Sequence, residues 1–375
     1  MKAGLSLTEL AKEIERRANA KTDFIAPVSK LKIAVRDGAP QAVLNTVNPQ
    51  IMRKQDGVRE RVFGINKVAH EQLADYAGIP MAYYRRMLEN DPELLAHNVN
   101  RWLSDRADER RMVRTLDGQV RAVLSDKYRP LENEDLAEAI LPVLMERDLL
   151  IMSCQVTESR LYIKAVDRKI EKDVPTGRKM GDGSSVFFDT LSPAITISNS
   201  EVGRGSLLIE TGVFTKACTN LAIFETKLRK FHTGARAGLS DQVYALLTDK
   251  TRRLTDAALW SQTRDLVAAA FDEAQFAALT DRIGKATEDR IGKKADVVEV
   301  IERVGRKLGL VEGERKGVLQ TLIESGDMTR YGVHAAITRY SQEVEDYDRA
   351  TELERMGARV IDLSRSEWKQ LAEAA

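Results

Sequence analysis

The chain has 375 residues, 43% hydrophobic and 31% charged, with 58 Lys plus Arg against 57 Asp plus Glu. That length accommodates two or three domains with proper cores, and the near-zero net charge excludes a global basic field, so a polyanion must be met by a local patch. Two cysteines, Cys154 and Cys218, exclude a disulfide framework and are read as reduced thiols. No apolar run is long enough to span a bilayer, and residues 1–10 have no signal-peptide pattern; the expected location is cytoplasmic, with no membrane partner.

Residues 5–20 read as a helix, capped by Ser6 or Thr8 and carrying Glu9 and Glu13 early and Arg16 and Arg17 late. Extended pieces follow at 31–35 and 41–45, then helices at 66–77, from Pro80 to about 89, and at 92–103. The strongest local signal is Asp117-Gly118 between the alternating runs 111–116 and 119–124, a two-residue hairpin. A helix at 133–147 is expected, with Asn133 as its cap and Leu136, Ile140 and Leu144 as its buried stripe. A hairpin at 149–156 and 160–166, a polar loop at 167–185, a short strand at 186–190 and a strand pair at 194–198 and 206–213 come next. Beyond Phe214 the pattern is helical: 215–233, 239–269, 273–285 and several helices past 294, with one short strand at 359–363. The predicted class is α+β, with a central antiparallel β-hairpin sheet backed by helices and a largely helical C-terminal part. The expected divisions are 1–108 (helical and extended), 109–235 (β-rich core) and 236–375 (helical).

Catalytic patterns fail one by one. His70-Glu71 opens like a zinc-protease helix, but position 74 is Ala74 rather than a second histidine. His97, His232 and His334 have no ligand spacing, and neither cysteine has a Cys-x-x-Cys partner. Gly177, Gly181 and Gly183 do not lead into a helix as a phosphate loop must. The expectation is therefore no cofactor, no metal and no enzyme activity. The rival is a Mg²⁺-dependent nuclease using Asp189, Glu201 or Glu210.

The hairpin register places Arg114 opposite Arg121 on one face, with Val113, Thr115, Val120 and Ala122 on the core side. Like charges directly opposite destabilise a ladder, and a phosphate over the pair relieves that cost. The alternative is neutralisation by Asp105, Asp108 and Glu109 or by solvent. Lys127 and Arg129 lie beside the pair, and Tyr128 offers a ring for stacking on a base. A second basic cluster, Lys227, Arg229, Lys230 and His232, falls at helical spacing with Leu221, Phe224 and Leu228 as an apolar stripe. A solvated basic face is the alternative reading there.

Four segments in order, RAVLSDKYRP at 121–130, PAITISNSEVG at 193–203, Cys218-Thr219-Asn220 followed by Phe231-His232-Thr233-Gly234, and 329–338 with 353–363, carry a resemblance. The chain resembles the phage- and plasmid-borne domain-of-unknown-function family numbered 932 over roughly residues 60–365, with Leu221 where similar chains often have Gly. The resemblance implies a phage or mobile-element setting. An outline similar to phage single-strand annealing proteins implies a hairpin sheet backed by a helix, and a homo-oligomer. The expected function is non-catalytic binding of single-stranded DNA or RNA, with strand annealing as its extension. A structural or partner-binding phage protein is the further alternative.

Overall fold

The computed structural model describes residues 1–46, 59–177, 187–230, 249–292 and 295–373. Helix α1 (Leu7–Ala20) begins at a reciprocal cap, in which the Glu9 N–H donates to the Ser6 hydroxyl and the Ser6 N–H to the Glu9 carboxylate. Strands β1 (Thr22–Pro27), β2 (Leu31–Arg36), β3 (Ala39–Thr46) and β4 (Arg59–Ile65) follow. Helices α2 (Lys67–Ala77), α3 (Met81–Asn90) and α4 (Pro92–Ser104) come next. Asn66 caps α2 and Gly78, in the left-handed region, ends it. Pro80 occupies the cap of α3 rather than its first turn.

Asp117 and Gly118 join β5 (Arg110–Leu116) to β6 (Gln119–Ser125), with φ of 50° and 74°, the positive values a two-residue hairpin loop needs. The first sheet runs β1-β5-β6-β4-β3-β2, and β4 beside β6 is its parallel pair. The hairpin thus pairs with N-terminal strands and not with the rest of the expected 109–235 core. Leu73, Tyr84, Leu95 and Val99 of α2–α4 pack against Phe24 and Val113 of this sheet.

Helix α5 (Asn133–Glu146) leads into the second sheet, built from β7 (Leu150–Val156), β8 (Leu161–Val166), β9 (Lys172–Pro175), β10 (Phe188–Asn199), β11 (Leu207–Thr215) and β12 (Asn220–Lys230). Its order is β12-β11-β10-β8-β7, with β9 against the start of β10. Leu10 of α1, Leu136 and Ile140 of α5 and Val267 of α6 (Asp249–Ala269) share a core with Ile163 and Ile195 of one sheet face. The C-terminal helices are α7 (Glu273–Glu288), α8 (Val297–Leu308), α9 (Glu312–Ser325), α10 (Arg330–Tyr340), α11 (Tyr347–Asp362) and α12 (Arg365–Glu373). They enclose a core of their own around Val304, Val318, Ile337 and Leu353. The fold is α+β, and its C-terminal part is helical as expected. Among the described residues no helix is long and apolar enough to cross a membrane.

Several elements differ from the sequence reading; the strands expected at 186–190 and 194–198 are the single strand β10, with residue 186 outside the described residues. The helix expected at 215–233 is the strand β12. Two bulges interrupt its pairing with β11: Gly212 faces Ile223 while Thr211 faces Glu225, and Glu210 faces Thr226 while Ile209 faces Leu228. Phe224 and Lys227 are the extra residues. Each insertion breaks the two-residue alternation, so the apolar positions acquire a helix-like spacing. Gly212 makes the first bulge possible, because a Cβ there would lie 2.2 Å from the Ala222 carbonyl oxygen. The strand expected at 359–363 is the end of α11, whose face bearing Leu353, Met356, Val360 and Ile361 is buried. The 167–185 loop contains β9, and its residues 178–185 lie outside the described residues.

Candidate functional site

The arginine pair is not on an open face. The hairpin keeps the expected register at Leu116–Gln119 and Thr115–Val120, then slips, so Arg114 faces Ala122 and Arg121 is the bulged residue. Arg114 is fully buried and Arg121 is 5% exposed. The Arg114 guanidinium lies 3.0 Å from the Asp23 carboxylate and 2.7 Å from that of Glu132, and donates to the Glu201 carbonyl at 2.7 Å. Arg121 lies 2.7 Å from the Glu201 carboxylate, whose other oxygen accepts the Asn133 N–H at 2.8 Å. Lys21 adds an ion pair to Glu132 at 2.9 Å. Burial, with Glu201 alongside, pushes the Glu132 carboxyl above its usual range against the pull of Arg114. The repulsion that was to attract a phosphate is cancelled by the protein's own acids, which are not the expected Asp105, Asp108 and Glu109. Asn133, expected as a helix cap, is instead the first helical residue, with its N–H held by Glu201.

The other predicted contacts are scattered. Lys127 is exposed. The Tyr128 hydroxyl donates to the Ser200 carbonyl at 3.1 Å and accepts the Gly203 N–H at 3.2 Å, which fixes the ring under the β10–β11 turn rather than presenting it to a base. Arg129 pairs with Asp256 at 2.6 Å. On β12, Lys227 is held by Glu225 and Gln275 at 2.7 and 2.6 Å, Arg229 is exposed and Lys230 is half-buried. Lys227, Arg229 and Lys230 therefore share a bulged strand and not a helix face. His232 lies outside the described residues.

The carboxylates of the nuclease rival are kept apart. Asp189 and Glu201 stand at opposite ends of β10, separated by roughly 40 Å of extended chain. The Tyr331 hydroxyl donates to Asp189 at 2.9 Å, and Glu210 is gripped by Arg355 at 2.9 and 2.6 Å. Among the described residues no group of three or more His, Cys, Asp or Glu is placed to hold a metal ion.

Two histidines, the half-buried His70 and the buried His334, are shielded from water by the fold. Burial pulls the His70 and His334 imidazoles down to about 4, while the unfolded chain takes up protons near 6.5. Each thus adds stability that is whole above about pH 6.5 and is lost as the pH falls towards 4, roughly 3 kcal/mol for the enclosed His334. Tm measured from pH 7 to pH 4 falls accordingly. His334→Gln, which keeps a donor for the Gly357 carbonyl now bonded at 2.9 Å, shows a shallower fall; an unchanged slope contradicts the assignment.

Sequence reasoning missed a cleft of about 300 Å³ between β12 and α11. Leu208, Ile223, Phe224 and Met356 give it apolar walls, and Arg229 and Arg359 line it as exposed guanidinium groups. Its acids are engaged by other arginines: Glu210 by Arg355 at 2.6 Å, Glu352 by Arg349 at 2.5 Å and Asp362 by Arg282 at 3.2 Å. Among the described residues neither Arg229 nor Arg359 has an ion-pair partner. A larger cleft of about 590 Å³ carries Glu71, Glu158, Glu345, Asp346 and Asp348 against Lys2, Lys67 and Arg204, the wrong balance for a polyanion. With 359–363 read as a strand and 215–233 as a helix, nothing in the local pattern joins Arg359 to Arg229. In comparisons with known proteins, the chain matches no family model, no curated protein and no solved structure.

Proposed function

We propose that this chain is a non-catalytic binder of single-stranded nucleic acid, with the phosphates lying in the cleft between β12 and α11. The observation that carries the proposal is the pair of exposed guanidinium groups, Arg229 and Arg359, which have no ion-pair partner among the described residues and lie beside apolar walls that include an aromatic ring. Guanidinium groups suit phosphate because they present several donors in one plane, and single-strand binding combines such charge with a ring for the bases. The local pair also supplies what a near-neutral chain needs, since the surrounding acids are already neutralised by other arginines. The motif resemblance adds a phage or mobile-element setting, with strand annealing by a homo-oligomer as the extension of this activity.

The test is a titration of a fluorescent oligothymidylate at several salt concentrations with wild type and Arg229→Gln/Arg359→Gln. Loss of two phosphate contacts makes the slope of log K against log salt shallower by about 1.4 and weakens binding at low salt, with Tm unchanged because both side chains are exposed. Equal slopes and affinities refute the cleft as the phosphate site. Degradation of the oligonucleotide in Mg²⁺ would favour the nuclease instead.

A second reading, a partner-binding protein, is favoured by large apolar side chains left exposed on α3 and α4, with Tyr83 47%, Leu94 40% and Trp102 49% accessible. Capture of a protein partner with no retention of any oligonucleotide supports it.

A further inference from the structure

The ring of Phe224 borders a second, half-open cavity of about 350 Å³, lined by β11, β12 and the α6–α7 corner. That volume lies at the lower end of pockets that take small organic ligands, roughly 300 Å³ and upward. Its lining is more apolar than polar in kind: Pro193, Phe224, Phe276 and Leu279 form walls, and Gln275 and Thr211 add hydrogen-bonding groups. Both bulged residues of β12, Phe224 and Lys227, line it. Bulges re-aim side chains and are common beside binding sites. Lys227 is held at the pocket by Gln275 at 2.6 Å, and the Arg282 guanidinium sits 5.8 Å from the centre of the Phe224 ring.

We infer that this cavity is a nucleobase pocket: one base of a bound single strand leaves the stack and lies against Phe224, while its phosphate is held in the adjoining cleft by Arg229 and Arg359. The inference rests on the proposed single-strand binding. Phe224 is the shared wall that links the two spaces. An unstacked base needs a ring to replace its lost neighbours and donors and acceptors for its edge, and the cavity offers Phe224 for the first and Gln275 and Thr211 for the second. A planar, uncharged group also suits a pocket in which Lys227 is already paired with Glu225 at 2.7 Å.

The experiment uses the full chain and a dodecathymidylate with one central 2-aminopurine, whose emission is quenched against an aromatic ring. Two variants separate the pocket from the cleft. Ala278→Trp places a large ring at an exposed lining position, and Phe224→Leu keeps apolar bulk without the ring. Both are expected to weaken binding about tenfold or more and to abolish the 2-aminopurine quenching, while circular dichroism and Tm stay close to wild type for Ala278→Trp. Undiminished affinity and quenching in Ala278→Trp overturn the pocket, even where Arg229→Gln/Arg359→Gln has lost binding. No binding by wild type itself overturns the single-strand reading and this inference together.

Discussion

Replacing Arg114 with alanine lowers the stability of the native state by about 3–5 kcal/mol. The side chain has no solvent exposure and its guanidinium meets two carboxylates and one carbonyl oxygen. Its removal takes the shared partner from Asp23, 31% exposed, and Glu132, 20% exposed and left with Lys21, and opens a void at the buried end of the network. A buried acid deprived of its partner costs far more than the net worth of the pair, because desolvation is no longer offset. The partners span three parts of the molecule: β1, the start of α5 and the turn after β10. The loss therefore loosens the seam between the two sheets as well as one contact. Urea unfolding measures the effect, and a midpoint equal to wild type contradicts the burial. Charge reversal at Arg114 is accordingly a poor test of nucleic-acid binding, since lost affinity would report unfolding.

The second large effect lies under α11. Lys164 and Glu354 are 1% and 0% exposed and 2.7 Å apart. The Lys164 amine also donates to the Thr351 hydroxyl at 3.0 Å and lies 4.6 Å from the Tyr347 ring centre. Burial lowers the affinity of that amine for its proton, while Glu354 opposes the shift. Lys164 belongs to a cross-strand row with Thr196 and Glu210, and Arg355 of α11 holds Glu210 in turn. Two ion pairs thus seat the helix on the sheet. Lys164→Ala is expected to cost about 3–5 kcal/mol by stranding Glu354, whereas Lys164→Met with Glu354→Leu restores most of it, because a well-packed apolar pair avoids the desolvation of both ions. A cycle of Lys164→Met, Glu354→Leu and the two combined, read by urea unfolding, decides: strictly additive losses contradict the coupling. Since α11 also carries Arg359, the single variant should lose oligonucleotide affinity with its stability.

Much of the local structure was legible because its signals are local. Ser6 with Glu9, and Asp117 with Gly118, each specify a cap or turn within a few residues. β12 was not legible, because two bulges give Leu221, Phe224 and Leu228 a helix-like spacing. The single extra residue at Arg121 was equally silent, and it breaks the face-to-face arginine register. The acids that satisfy the pair, Asp23, Glu132 and Glu201, come from distant stretches of chain that only the tertiary fold brings together. Arg229 was identifiable as a basic residue, but its companion Arg359 became its neighbour only through the docking of α11 on β12.

The parallel contact of β4 with β6 has a consequence for biosynthesis. The hairpin inserts between β1 and β4, yet it leaves the ribosome about sixty residues after β4, a delay of roughly 3–12 s at about 5–20 residues per second. Through that interval the nascent chain carries two strand edges awaiting a ribbon not yet made. Such edges pair readily with other chains, so trigger-type holding of the N-terminal segment, or slow translation past Ser125, would govern the yield of native protein.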